Sequence, residues 1–381
     1  MSVETLFTEL AKQQARKLDI VVPASAIRAD RGSLRIDGIN TSALPDSVQK
    51  MLITPDGVAD LNGLYLPTSS ADADLAEKLK IPVKYLRRCR TANLPLYDAN
   101  VNGWARQDDR RMLLRLMWGS TESRQARGIV RAVLSDSYSI RDHHDMATAF
   151  LDGLQQAGLG ANNIRHADIS PHRLYIDVHA PEISTMAYDL LADYRSPFNG
   201  RAGRDLPIVY AGLLFTNSET GHGATTLTPK VIVQICGNGV TINPAADRRT
   251  HLGSQLEEGK IIWGADTRDL DMRTIASKVR DTVAEFLSTS ALERHVDAIS
   301  ETAGTRLRKP AETLELVAHQ FGYTNAEREG ILDHFIRGGD TKAGGVLHAV
   351  TSFAQTVEDI DRAYEIGSHG VAAMEFAATH A

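Results

Sequence analysis

Asn217, Ser218, Glu219 and His222 lie in one short run, Asn217-Ser218-Glu219-Thr220-Gly221-His222-Gly223, and Asn238 and His251 follow downstream. A carboxylate and two imidazoles sharing a pocket with side-chain amides would be raw material for acid–base work or a metal site. The same residue types also close turns. Asn and Ser bond their own backbone, and Gly takes positive φ at no steric cost. The candidate pocket is therefore Asn217, Glu219, His222, Asn238 and His251. It has three readings: a structural loop, a binding site, or an enzyme of unassigned reaction. No motif assigns any of the five a catalytic role.

Other reactive residues are sparse in pattern. His143 and His144 are adjacent, so on a helix or strand they cannot both face one site, and His166, His172 and His179 lack a zinc spacing. No metal site is expected, and nothing points to a cofactor. Walker A, G-x-S-x-G and dinucleotide fingerprints are missing, and Gly237-Asn238-Gly239 reads as a turn. Cys89 and Cys236 are too few for a disulfide framework or a four-thiolate zinc site, and they suit a reducing compartment.

The second chemical feature is charge. Between Lys84 and Arg131 eleven Lys or Arg face four acids, so this segment carries +7. Because the whole chain carries −6, the remainder carries −13. Tyr85, Tyr97, Trp104 and Trp118 interleave with the cations, a mixture suited to neutralising phosphates and stacking bases. The candidate nucleic-acid-binding residues are Lys84, Arg87, Arg88, Arg90, Trp104, Arg106, Arg110 and Arg111. A solvated face whose arginines pair with acids elsewhere is the alternative.

Several elements must position these groups. Residues 72–80 and 82–88 read as two short helices with Pro82 opening the second, which resembles a helix-turn-helix; a packed αα-hairpin has the same pattern. Residues 128–134 read as a strand and 145–156 as a helix. Leu174, Ile176 and Val178 alternate with polar residues at strand period. The runs 207–215 and 230–236 predict two strands with the polar stretch as their loop, and 260–263 one more short strand. From about 270 the spacing turns helical, with further helices over 292–307, 311–321, 325–337, 343–354 and 358–378.

The expected fold is α+β, with a central mixed or mainly antiparallel sheet, flanking helices and a C-terminal helical unit. The expected division is an irregular N-terminal region over 1–71, an α+β core domain over 72–267 and a helical unit over 268–381. The N-terminus lacks the apolar run of a signal peptide, and no stretch approaches the roughly 20 apolar residues of a membrane span. A cytoplasmic protein without membrane contact is expected.

Motifs spread over about 72–378 resemble the phage/plasmid-like proteins, the family of unknown function numbered nine-three-two. Ile81-Pro82-Val83-Lys84-Tyr85 resembles its Ile-Pro-x-x-Tyr, and Asn100-Val101-Asn102-Gly103-Trp104 its Asn-Val-Asn-x-Trp. Arg131-Ala132-Val133-Leu134-Ser135-Asp136-Ser137-Tyr138 is similar to its Arg-Ala-x-Leu-Ser-x-x-Tyr. Asn217-Ser218-Glu219-Thr220-Gly221-His222-Gly223-Ala224 looks like its Asn-Ser-Glu-x-Gly-x-Gly-Ala, and His251-Leu252-Gly253 like its His-x-Gly. The stretch Ile232–Gly239 departs from the family's Arg-x-x-Cys-Thr-Asn-Gly, with no arginine near its head and Gly237 in place of Thr. The resemblance implies a mobile-element protein, at work in the host cytoplasm if phage-encoded. With the basic segment it points to an accessory of DNA metabolism, in recombination or single-strand handling. Single- or double-stranded DNA would be the partner, and a homo-oligomer is compatible. A protein-interaction module using the helical C-terminal unit is the remaining alternative.

Overall fold

The computed structural model describes residues 1–37, 53–54, 57–58, 60–119, 126–138, 140–235, 238–241 and 265–381. The expected strand over 260–263 and the residues Cys236 and His251 lie outside the described residues, as does the side chain of Asn238.

Residues 1–37 hold helix α1 (Val3–Gln14) and strands β1 (Lys17–Pro23), β2 (Arg28–Asp30) and β3 (Ser33–Ile36). Ser2 caps α1 by accepting from the Thr5 amide. A small hairpin, β4 (Ile53–Thr54) with β5 (Gly57–Val58), precedes β6 (Gly63–Pro67). Three helices follow: α2 (Ser69–Lys78), α3 (Val83–Ala92) and α4 (Leu94–Ala105). Then come strands β7 (Arg111–Trp118) and β8 (Ala126–Ser135).

The first sheet has the order β1-β7-β8-β6-β3-β2 and is mixed, since β6 runs parallel to β8 while the other neighbours are antiparallel. Strand alternation divides its side chains. Leu18, Met112, Leu114, Leu116, Val130 and Val133 share a core with Leu75, Leu86, Tyr97 and Val101 of the three helices. The opposite face carries Leu113, Ala132 and Leu134, together with charged groups described below.

Helix α5 (His143–Gln156) leads into the second sheet. Its strands are β9 (Ile164–Ile169), β10 (Leu174–Met186), β11 (Ile208–Asn217), β12 (Thr226–Val233) and β13 (Asn238–Thr241), with the one-turn helix α6 (Tyr188–Leu191) after β10. The order is β13-β12-β11-β10-β9, antiparallel throughout. The strand pair expected around the Asn217–Gly223 stretch is present as β11 and β12. What differs from expectation is the number of sheets: β8 belongs to the first sheet and β9 to β13 to the second, so there is not one central sheet. Pairing across a chain is non-local, and apolar periodicity does not encode it.

The C-terminal helices are α7 (Ala265–Phe286), α8 (Thr289–Ala303), α9 (Pro310–Gln320), α10 (Asn325–Gly338), α11 (Ala343–Ala354), α12 (Ile360–Ser368) and α13 (Gly370–Thr379). The single helix expected over 358–378 is thus two. At the break, a Cβ on Gly370 would sit 2.6 Å from Thr351 Cγ2, so glycine permits α13 to start against α11. Side chains of α5, α7, α8 and the later helices share one core with Ile176, Val178, Leu213, Phe215, Val231 and Val233 of the second sheet. Phe150 of α5 stacks on Phe215 at 4.4 Å.

Candidate functional site

The Asn217–Gly223 loop is a bridge between the two sheets. It leaves the second sheet at the end of β11 and lies on the charged face of the first. Glu219 has no exposed surface. Its Oε2 accepts from Lys17 Nζ at 2.5 Å and from the His143 backbone amide at 3.1 Å. Its Oε1 lies 2.6 Å from Arg131 Nη2, off the hydrogen-bond line, and 3.8 Å from His143 Nε2. Arg115, 1% exposed, donates Nη1 to the Glu219 carbonyl at 2.6 Å, Nε to Asp19 at 2.9 Å and Nη2 to Asp142 at 2.6 Å. Lys17 also reaches Asp142 at 3.2 Å. The cluster therefore holds the cations Lys17, Arg115 and Arg131 against the carboxylates Asp19, Asp142 and Glu219, an even balance of charge.

Sheet geometry explains how such a cluster assembles. Lys17 and Asp19 flank Leu18 on β1, so both point away from the face that Leu18 buries. Asp19 is directly opposite Arg115 on β7. On β8 the ladder passes from Ala132 opposite Arg115 to Val130 opposite Leu116, leaving Arg131 as the extra residue of a bulge. That bulge puts Arg131 on the same face as Ala132, within reach of Glu219, where strict alternation would send one to each face.

Electrostatics follow from burial and pairing. Burial pushes the Glu219 carboxyl up, but the surrounding cationic groups outweigh it and hold the carboxyl well below the usual carboxylate range. Burial drives His143 down to about 4, against the pull of Glu219. His143 is therefore neutral at pH 7, and Lys17, Arg115 and Arg131 are the charges that keep Glu219 ionised there. The Asn217 amide faces His143 Nδ1 at 2.9 Å and the Arg141 carbonyl at 3.1 Å, while its oxygen accepts from Thr225 at 2.6 Å. An amide nitrogen only donates, so His143 Nδ1 accepts and Nε2 carries the proton.

The rest of the loop is fastened in the same way. Ser218 donates to the His172 carbonyl at 2.9 Å and accepts from the His222 amide at 3.0 Å, and Tyr138 donates to the Ser218 carbonyl at 3.2 Å. His222 belongs to a separate group. Its ring meets His172 edge-on at 4.4 Å, and its Nε2 lies 3.8 Å from Asp74 Oδ1. Burial raises the Asp74 carboxyl to about 6, although Asp74 accepts the Val133 amide at 3.1 Å. Asn217 and Glu219 are thus interior groups, apart from the half-buried His222. Among the described residues no group of three or more His, Cys, Asp or Glu is arranged to hold a metal ion.

The basic candidates divide into spent and free. Arg90 pairs with Asp72, which also accepts from Tyr97 Oη at 2.9 Å, so Tyr97 is buried beneath the helices and offers no ring to a partner. Arg110 pairs with Asp108 at 2.6 Å, and Arg87 donates to the Ser69 carbonyl at 2.9 Å. Lys84, Arg88, Arg106 and Arg111 are exposed and make no side-chain hydrogen bond or ion pair among the described residues. Tyr85 and Trp104 are 42% and 54% exposed. Asn100 Nδ2 donates to Tyr85 Oη at 3.3 Å, tying α4 to α3, and Trp104 follows Asn100 by one turn on α4. The exposed surface of α3 and α4 therefore combines unpaired cations with two aromatic rings.

Helices α2 and α3 are joined by a four-residue turn, 79–82, in which Lys80 takes φ +56°. The expected helix pair is present, with Leu75, Leu79, Ile81 and Leu86 buried as an αα-hairpin requires. Sequence reasoning did not find Lys17, Asp19, Arg115, Arg131, Asp142 and His143 as partners of Glu219. One local signal was available: Arg115 interrupts the apolar run Met112-Leu113-Leu114-Arg115-Leu116-Met117, and a charge inside a buried strand implies buried partners.

No family model, no curated protein and no solved structure matches this chain. The described residues include no helix long and apolar enough to cross a membrane.

Proposed function

We propose that this chain is a nucleic-acid-binding accessory protein of phage- or plasmid-type DNA metabolism, and that its α3–α4 surface is the binding face. The observation that carries this reading is the set of exposed, unpaired cations Lys84, Arg88 and Arg106 on the helices that carry the exposed rings of Tyr85 and Trp104, with Arg111 a further unpaired cation at the start of β7. Unpaired Lys and Arg release counterions when they meet phosphates, and this is the main source of sequence-independent affinity. Asp98, the acid nearest the middle of this surface in sequence, is occupied with the backbone amides of Arg31 and Gly32, at 2.7 and 3.0 Å. Arg87 and Arg110, already bonded within the fold, rank behind the four free cations, and Arg90, paired with the buried Asp72, ranks last. The family resemblance of the motifs supports the mobile-element setting.

An enzyme centred on the loop gains no support from the burial of Asn217 and Glu219, which are held by hydrogen bonds and ion pairs within the sheet junction. The test of the binding reading is a fluorescence-anisotropy titration with labelled oligonucleotides at low salt, where phosphate contacts are strongest. Saturable binding that weakens as salt rises is expected. No binding at low salt contradicts the reading.

A further inference from the structure

We propose that the α3–α4 face takes single-stranded nucleic acid, with unpaired bases stacking on Tyr85 and Trp104; this rests on the binding reading above and specifies its ligand. Phosphate neutralisation alone would need only the cations. Two large rings left in solvent beside them add a group that a duplex cannot use, because its bases are already stacked on one another. Trp104 makes no side-chain hydrogen bond among the described residues, so its indole is uncommitted. The Tyr85 ring is held in place through its hydroxyl by Asn100, which is itself anchored to the Leu96 carbonyl at 2.7 Å. A ring fixed before binding loses little freedom when a base stacks on it. Lys84, one residue before Tyr85, and Arg88, one turn after Lys84, supply positive charge on α3, and Arg106 supplies it beyond Trp104. Helix α4 lies alongside α3 at the Tyr85–Asn100 contact, so α3 does not stand clear of the fold as a helix entering a major groove does.

The experiment compares short oligothymidylate, oligouridylate, an abasic strand of equal length and a duplex, all at one salt concentration, for the wild type, Trp104→Ala, Tyr85→Ala and the control Tyr188→Ala. Tyr188 is 59% exposed elsewhere on the molecule. A base-bearing strand, DNA or RNA, should bind roughly 10-fold tighter than the abasic strand or the duplex, since a stacked base is worth about that factor. Trp104→Ala should lose about that factor for base-bearing strands and leave the abasic strand unchanged, and the control should match wild type. Duplex binding as tight as single-strand binding, or Trp104→Ala indistinguishable from wild type, overturns the stacking proposal and leaves nucleic-acid binding intact. Failure of every ligand to bind overturns the binding reading itself.

Discussion

Glu219 is the residue on which the two sheets meet, and its carboxylate is stable there only because three cations surround it. Removing one member of a buried charge network leaves the others uncompensated, which costs about 3–5 kcal/mol. Glu219→Gln should therefore lower unfolding free energy by that order, read as a shifted urea midpoint. A change below about 1 kcal/mol, the usual worth of an exposed pair, would mean that the junction is not held by charge. The pH dependence has a definite sign. The folded pKa of His143, about 4, lies below the ordinary 6.5, so the unfolded chain binds the proton first. The stability His143 contributes is complete above about pH 6.5 and is lost on acidification towards about pH 4. Asp74, raised to about 6, works in the opposite direction over much of this range, so the clean measurement is a difference. Relative to His143→Gln, the wild type should lose on the order of 3 kcal/mol between these limits. Parallel pH profiles would contradict a neutral buried imidazole. Glu219, depressed well below its ordinary 4.5, adds a further loss only below about that pH.

At the scale of elements, glycine decides where chains approach. Gly221 takes φ +82°, and a Cβ there would lie 2.7 Å from Leu134 Cδ2 on the first sheet. Gly221→Ala should cost about 1–3 kcal/mol through backbone strain, measured by thermal or denaturant unfolding. Gly153 sits where α5 crosses α7, with an added Cβ only 2.5 Å from the Ala276 carbonyl oxygen. Gly153→Ala should destabilise by a similar amount through overpacking. Much of the element map was legible because its signals are local: the apolar stripe of α5, the alternation of Leu174, Ile176 and Val178, and the glycine-punctuated link between β11 and β12. The split into two sheets was not legible, since nothing local says that β8 pairs with β6 and β7. The charge junction was hidden for the same reason. Lys17 and Glu219 are 202 residues apart, and only the folded arrangement makes them neighbours. The polar, glycine-punctuated run Asn217–Ala224 stands out in the sequence, while its role as a bridge depends on residues far from it.

Across the whole molecule, the positive charge of the 84–131 segment separates by depth. Arg115 and Arg131 turn inward to the junction, Arg90 and Arg110 meet carboxylates, and Lys84, Arg88, Arg106 and Arg111 remain on the surface of α3, α4 and the start of β7. A chain of net charge −6 that keeps a local set of unpaired cations has a surface suited to meeting a polyanion without a uniformly basic coat. The most direct measurement is the salt dependence of oligonucleotide binding for wild type and for a variant with Lys84, Arg88, Arg106 and Arg111 all changed to Ala. The binding account predicts that the variant folds normally, binds more weakly, and shows a shallower slope of log affinity against log salt, by roughly one unit for each phosphate no longer neutralised. A variant with the affinity and slope of wild type would contradict it.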